Sequence, residues 1–419
     1  MNKRRILVLL LLGGAELVSA MDTPPEFPDS IPVEGGEADY TFYGGSSAAP
    51  RRDTLTFSSS YFTGQHTNWG LVTSGLEILR LTVRAESYYQ ITTPLSLLLW
   101  RLVSFWINFS FSTGYHEIGH GLRLRAFGYG YQLHPDARKD VSFSKDENLF
   151  KFLFYRLFTL YPISSTAYDP QYTASPSPKI QCLLSAGGMN NNVYFAERLS
   201  QEIYRRQSLS FSEGCVYTLS TLYGPIYKQL EKMGLQGGDP TKVGNAWKKL
   251  GVLATGRDIE RGGLIAFALS STTYYMLYAT WKSGEDVKPF HLWGFRPPDV
   301  FSYSTSKGVS YRLVSECRLS ENSWVLFGGE RVFHGTAATE FHVGVEKTLE
   351  ILPCSWKTVF TFGEGFDLES ALHIPIFDIL VLKISGGIYA SKSLLGERMS
   401  PNLKKEYCAD AAVAIALRY

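Results

Sequence analysis

Two histidines and a glutamate stand at a spacing that can bind and use a metal ion. His116 and His120 are four residues apart, and Glu117 directly follows the first. On a helix, this spacing places both imidazoles on one face, one turn apart, so that they can hold the same ion. Glu117 can then remove a proton from a water molecule beside the metal and deliver it to a leaving group. Imidazole and carboxylate ligands make zinc (Zn2+) the expected metal.

The segment that carries this motif is predicted to be a helix. Leu122, Leu124 and Phe127 supply apolar residues on a stretch without proline, and Gly128 and Gly130 can end it. The alternative is an ordinary helix on which the two histidines lie near each other without binding metal. The helical setting favours the metal site.

The same stretch resembles a known family. Residues 116–128, HEIGHGLRLRAFG, are similar to the HExGHxxxAxxxG-type signature of the site-2 protease family of membrane zinc metallopeptidases. Gly119 and Gly128 fall on that family's glycine positions, whereas Leu124 stands at the expected alanine position. The resemblance covers about thirty residues of the 419 and implies a zinc metallopeptidase.

A second stretch adds to this resemblance. Residues 185–192, SAGGMNNN, resemble the small-residue segment of the family, which is AGPxxN in character, with Gly188 in place of the proline. Asn190 and Asn192 are candidate substrate-binding residues, because an asparagine side chain can bind a peptide backbone as an added strand would. The asparagines could equally cap a following helix.

The third metal ligand is left open between several residues. The family takes this ligand from an Asp on a later helix, and Asp258 is the best-placed candidate, although the family's usual LDG-type motif is absent here. Asp258 could instead be a helix N-terminal acid that the helix dipole favours. Another type of HExxH enzyme uses a downstream Glu, which indicates Glu197, unless that residue pairs with Arg198 or Arg205 at the surface. His134 follows His120 at a spacing that does not match a metzincin.

Composition excludes some classes of protein. Hydrophobic residues make up 45% of the chain, so wholesale disorder is excluded. With 41 basic and 39 acidic residues and no basic block, nothing indicates a nucleic-acid partner. The five cysteines form no CxxC pair, which disfavours a cysteine-based zinc site. The 25 tyrosines and 26 phenylalanines fit a β-rich envelope protein.

The N-terminus is predicted to be a secretory signal peptide at residues 1–20. Residues 3–5 are basic, residues 6–12 are continuously apolar, and residues 18–20 are small enough for cleavage after Ala20. An uncleaved membrane anchor is the alternative, but the apolar run is short for a span. Export to the cell envelope follows from this prediction.

Composition and periodicity divide the rest of the chain into four segments. Residues 21–53, rich in Pro, Gly and Ser, form a flexible lead-in. Residues 54–283 are mainly helical and carry the metal site, and residues 284–300 form a proline-containing linker. Residues 301–419 alternate with the period of a strand. The predicted class is α+β: a helical, metallopeptidase-like region followed by an antiparallel sheet or a membrane β-barrel.

The end of the chain indicates which kind of sheet this is. Within residues 412–419, Val413, Ile415, Leu417 and Tyr419 form one apolar face. This pattern resembles the terminal strand of bacterial outer-membrane barrels. A soluble antiparallel sheet with one buried face gives the same alternation.

Location and function follow as expectations. We expect the outer membrane or the periplasm, with the inner membrane as the alternative, because residues 262–281 are uncharged but contain Ser, Thr and three Tyr. The predicted function is a zinc metalloprotease that acts on a protein or peptide substrate, with a membrane as partner. The alternatives are a metal-dependent hydrolase of another substrate and a non-enzymatic outer-membrane barrel, porin-like or structural.

Overall fold

The computed structural model describes most of the chain after residue 93, together with one earlier strand. The described residues are 54–60, 94–127, 129–135, 142–144, 152, 155–156, 165–168, 176–206, 209, 211–234, 238–281, 289, 294–320, 322–349, 354–377, 380–399 and 406–418. The predicted signal peptide at residues 1–20 and the lead-in at residues 21–53 lie outside them.

Helices fill the middle of the described chain, where the sequence predicts them. They are α1 (Pro94–Ala126), α2 (Pro178–Arg206), α3 (Phe211–Thr221), α4 (Tyr223–Lys232), α5 (Asp239–Leu250), α6 (Gly256–Leu269) and α7 (Ser271–Trp281). A short helix, α8 (Leu394–Met399), follows much later. The uncharged segment at residues 262–281 is divided between α6 and α7, with Ser270 between them. Among the described helices, none combines the length and the apolar character that crossing a membrane requires.

The strands form one large sheet and one small one. They are β1 (Thr54–Ser60), β2 (Tyr131–His134), β3 (Phe143–Ser144), β4 (Ser165–Tyr168), β5 (Asp299–Thr305), β6 (Gly308–Ser320), β7 (Ser323–Gly335), β8 (Thr339–Thr348), β9 (Ser355–Phe362), β10 (Phe366–Phe377), β11 (Leu380–Ala390) and β12 (Tyr407–Arg418). The large sheet has the order β1-β12-β11-β10-β9-β8-β7-β6-β5, and the small one has the order β3-β2-β4. All the pairs are antiparallel, which confirms a mixed α and β class with an antiparallel sheet.

Within the described part of the large sheet, charged residues are buried on the covered face beside apolar ones, and many apolar residues are exposed on the other face. Strand β8 shows this alternation clearly: Glu340 and His342 are buried, whereas Phe341 is 64% exposed and Val343 is 44% exposed. A soluble sheet with one buried face has the opposite polarity. The alternation is therefore that of a strand, as the sequence predicts, but its apolar side faces away from the protein interior.

Aromatic side chains of α1, close to the metal motif, pack against α2. Phe111, Tyr115 and Ile118 of α1 are buried in the main core together with Phe195 of α2. The ring of Phe195 lies 5.7 Å from that of Phe111 and 5.3 Å from that of Tyr115, measured between centroids. Burying a side chain of this size contributes roughly 1.5–3 kcal/mol, so the cluster holds the two helices together.

A glycine contact sets the distance between these two helices. A Cβ atom added to Gly119 would lie 2.6 Å from the carbonyl oxygen of Gly187. A Cβ atom added to Gly187 would lie 2.9 Å from the carbonyl oxygen of Gly119. The two backbones are thus in direct contact, and the residues of α2 that flank Gly187 lie against the motif on α1.

We predict that Gly187→Ala destabilises the protein by about 1–3 kcal/mol, because the new methyl group would overlap Arg123 Cγ at 2.7 Å and Gly119 O at 2.9 Å. The measurement is the free energy of unfolding in urea. Gly224→Ala is the matched control: its Cβ would meet only a methyl group of Ile259 closely, at 3.0 Å. Equal stability of Gly187→Ala and the wild type would contradict the close contact.

Candidate metal centre

Three side chains from two helices converge on one point. The Oδ2 atom of Asp239 lies 2.9 Å from His116 Nε2 and 2.9 Å from His120 Nε2. The two imidazole nitrogens are 3.1 Å apart. His116 and Asp239 are buried, whereas His120 is half-buried. Within the part of the chain that the structure describes, these residues form a group that could hold a metal ion.

The group fits a divalent metal in both size and chemistry. In a tetrahedral zinc site with bonds of about 2.0–2.1 Å, neighbouring ligand atoms are about 3.3 Å apart. The separations of 2.9, 2.9 and 3.1 Å are a few tenths of an ångström shorter, so a small movement of the side chains would admit an ion. Two imidazoles and one carboxylate leave a fourth position open, as catalytic zinc sites do.

Helix α2 orients one of the ligands and forms the wall beside both histidines. His120 Nδ1 donates a hydrogen bond of 2.7 Å to the carbonyl oxygen of Leu184. This contact fixes the ring and leaves Nε2 as the nitrogen that can bind an ion. A Cβ atom on Gly188 would lie 2.5 Å from the Nε2 atoms of both His116 and His120. Glycine at this position is therefore what keeps the space between the imidazoles open.

Two tyrosines from α4 cover the other histidine. The ring of Tyr223 stacks on that of His116 with centroids 4.4 Å apart, and the ring of Tyr227 lies 5.7 Å from it. Burial raises the pKa of both phenols, and the charges of Glu117 and Asp239 raise it further. Both tyrosines are therefore neutral and shield His116 from water without competing for a cation.

Asp239 is placed by the start of its helix. It is the first residue of α5, after Gly238 and before Pro240, where the helix dipole favours a carboxylate. Burial acts to raise the pKa of Asp239, but the charge of His120 and the hydrogen bonds of both histidines hold it well below its ordinary value. Burial acts to lower the pKa of His120, but Asp239 raises it to about 9. Without metal, a proton on His120 thus balances the buried carboxylate.

Glu117 lies beside this group, at the wall of a cleft. Its Oε2 atom accepts a hydrogen bond of 2.7 Å from the hydroxyl of Thr166 on β4. The cleft has a volume of about 450 Å3, and its lining includes Glu117, His120, Asp239 and Thr166. A carboxylate held beside a metal group at the wall of such a cleft can act as a general base.

The structure places Asp258 elsewhere. Its Oδ2 atom accepts hydrogen bonds of 2.8 Å from the backbone nitrogen and the hydroxyl of Thr255, which form a capping box at the start of α6. The described group therefore contains Asp239 in the place expected for Asp258. The alternative considered for Asp258, a helix N-terminal acid, matches its position. His134 lies on β2 and is also outside the group.

Glu197, the alternative third ligand, is buried against the large sheet. It accepts hydrogen bonds from the hydroxyl of Tyr303 at 2.7 Å and from Nε of Arg312 at 3.2 Å. Its partners are thus not Arg198 or Arg205 at the surface, and it does not belong to the metal group.

Asn190 and Asn192 make hydrogen bonds within the protein. Asn190 Nδ2 donates to the carbonyl oxygen of Ser304 at 2.7 Å, and its Oδ1 accepts from the Ser304 nitrogen at 2.9 Å. The side chain thus pairs with a backbone as an added strand would, but the backbone is that of β5. Asn192 Nδ2 donates to Ser112 Oγ at 3.3 Å. Both asparagines lie inside α2, so neither caps a following helix.

Sequence reasoning does not identify Asp239, because it stands among Gly237, Gly238 and Pro240, residue types that are common in loops. The available signal was the order Gly238, Asp239, Pro240, which is typical of a helix start with an acidic first turn. Nothing local connects that helix start with a motif 119 residues earlier.

Comparisons with known proteins return no match. No family model matches the chain, and neither does a curated protein or a solved structure. The function of this chain therefore has to be inferred from the chemistry of its own residues.

We predict that Asp239→Ala lowers the affinity for zinc at least 100-fold, because the carboxylate is one of three ligands. Competition with a chromophoric chelator measures the affinity. Asp258→Ala is the matched control and should bind zinc as the wild type does, with a loss of about 1 kcal/mol in stability from the missing cap. Normal zinc binding by Asp239→Ala would contradict the assignment.

Proposed function

We propose that this protein is a zinc-dependent hydrolase of the cell envelope, a metalloprotease that cleaves protein or peptide substrates. The observation that carries the proposal is the convergence of His116, His120 and Asp239 beside Glu117, at a cleft open to water. A structural zinc site would have four protein ligands and no such base at its side. The resemblance of residues 116–128 to the site-2 protease signature supports the same reading.

The proposed reaction is hydrolysis with Glu117 as general base. A zinc ion would polarise the substrate carbonyl and make water easier to deprotonate. Glu117 takes the proton of the attacking water and transfers it to the leaving amine, so that the carboxylate returns to its starting state. The hydroxyl of Thr166 orients the Glu117 carboxylate for both transfers.

The cleft suggests the character of the substrate. Gln181 and Asn245 offer amide groups that can pair with a peptide backbone, and Lys242 and Lys249 add positive charge. Leu124 supplies an apolar patch. This lining favours a peptide segment with acidic side chains over an apolar one. Hydrolysis of a non-peptide amide or ester remains the alternative within the same chemistry.

We also propose that the exposed face of the large sheet meets the lipid of the outer membrane. The exposed apolar residues are cross-strand neighbours: Phe341 pairs with Phe362, and Val343 pairs with Phe360. A face that is apolar outside and polar inside is typical of strands in outer-membrane barrels. The alternative function, a non-enzymatic outer-membrane barrel, shares this face but leaves the buried metal group without a role.

We predict that Glu117→Gln keeps zinc and loses hydrolysis of a casein-type or peptide substrate by about 10²–10⁴-fold, because the amide cannot accept the proton. Peptide cleavage and zinc content are measured on the same preparation. Glu260→Gln is the control: this carboxylate of α6 pairs with Lys232 and does not line the cleft, so the variant should retain full activity. Unchanged cleavage by Glu117→Gln would exclude its role as the base.

We predict that Val343→Lys costs about 2–4 kcal/mol in unfolding experiments in phospholipid vesicles, since a lysine there would enter the bilayer. On a water-facing surface the same change stays within about 0.5 kcal/mol. Leu253→Lys, at a residue that is 93% exposed beside α6, is the control and should be neutral. A neutral Val343→Lys would show that this face does not meet lipid.

A further inference from the structure

A second cavity lies between the helices and the covered face of the large sheet. Its walls come from α1, α2, α8 and strands β5 to β10, and its volume is about 60 Å3. Its lining shares no residue with the cleft at the metal group. The residues proposed for hydrolysis do not line this cavity, so its charged lining needs a separate explanation.

Cationic side chains predominate in the described lining of this cavity. They are Arg123, Arg198, Arg312, Lys357 and Arg398. The lining contains two carboxylates, Glu197 and Glu369, and Glu330 behind it contacts both Arg312 and Arg398. Guanidinium and ammonium groups around a buried cavity offer donors that an anion can bind.

The guanidinium groups of Arg123 and Arg398 lie close enough to act on each other. Burial lowers the pKa of Arg123 to about 9, and the charge of Arg398 acts in the same direction, whereas the charge of Glu397 opposes it. The guanidinium donates to a neutral acceptor, the carbonyl oxygen of Glu397, at 2.9 Å. Two guanidinium groups are thus brought together where an anion would relieve their repulsion.

Lys357 has no ion-pair partner among the residues that the structure describes. Its cross-strand neighbour is Glu346, but that carboxylate pairs with Arg205 at 3.0 Å. No described carboxylate lies within salt-bridge distance of the Lys357 ammonium, although the side chain lines the cavity. Burial lowers the pKa of Lys357 to about 7, and an anion inside the cavity would stabilise the charged form of this side chain.

Buried polar atoms of the lining also lack hydrogen-bond partners within the described chain. They are His342 Nε2, Arg398 Nη2 and Arg312 Nη1, on residues that are 5%, 6% and 7% exposed. Gly328 lies opposite His342 in the register, and a Cβ atom there would be 2.6 Å from the imidazole. An unmade hydrogen bond at a buried group costs about 1–3 kcal/mol, so three of them at one cavity indicate a ligand.

We propose that this cavity binds one small oxyanion, with Lys357, Arg398, Arg312 and His342 as its donors. A water molecule needs about 10–15 Å3 of such space, so 60 Å3 holds a group of about four or five heavy atoms. Phosphate and a carboxylate both have this size, and guanidinium groups form charge-assisted hydrogen bonds to either. The anion would connect α8 to strands β6, β8 and β9 of the large sheet, and this role is independent of the metal group.

The test measures the thermal stability of the purified full-length chain with inorganic phosphate or acetate, at an ionic strength matched with chloride. We expect either oxyanion to raise the melting temperature of the wild type in a saturable manner. Lys357→Met should weaken the apparent affinity at least about tenfold, because it removes one charge-assisted hydrogen bond. Lys347→Met, on the exposed side of β8, is the control and should behave as the wild type.

Far-UV circular dichroism checks that Lys357→Met is folded, and its spectrum should match that of the wild type. If this variant does not fold, His342→Phe is measured instead and should also lose the oxyanion effect. A larger effect of phosphate than of acetate, or the reverse, identifies the oxyanion class. Equal stabilisation of wild type, Lys357→Met and Lys347→Met, or no stabilisation of the wild type by either probe, would overturn the proposal.

Discussion

The buried carboxylate of Asp239 between two imidazoles is the interaction on which the site depends. A buried charge is tolerated only when it is paired and hydrogen-bonded, so α5 must begin where both His116 and His120 can reach its first residue. The start of the helix adds a favourable dipole. This one contact fixes α5 relative to α1 and, at the same time, assembles two kinds of ligand that a divalent metal prefers.

Helix α2 packs against α1 on one side and against the large sheet on the other, which explains why it buries many polar residues. Toward α1 it offers backbone: Gly187 allows close contact, Gly188 leaves room for the imidazoles, and the carbonyl oxygen of Leu184 orients His120. Toward the large sheet it offers side chains, among them Glu197. A side chain on the first surface would block the metal group, and an apolar one on the second would leave buried arginines unpaired.

Features that depend on residues close together in the sequence could be predicted, whereas features that depend on tertiary packing could not. The four-residue spacing of the histidines is local, so the helix and the shared face followed directly. Alternation is equally local and predicted strands within residues 301–419, but not where each strand ends, because turns such as the one between β10 and β11 depend on strand pairing. The linker predicted at residues 284–300 includes the first two residues of β5, because prolines precede that strand. The third ligand depends on tertiary packing, which brings α5 rather than α6 to the histidines.

The proposed metal centre is defined by the side chains that bind the ion. X-ray absorption at the zinc edge of the purified, zinc-loaded protein measures the number and type of its ligands. We expect two imidazole nitrogens at about 2.0–2.1 Å, one carboxylate oxygen and one further oxygen, with one imidazole lost in His116→Ala and the carboxylate lost in Asp239→Ala. A spectrum with sulfur ligands, or one that neither substitution changes, would contradict the central claim.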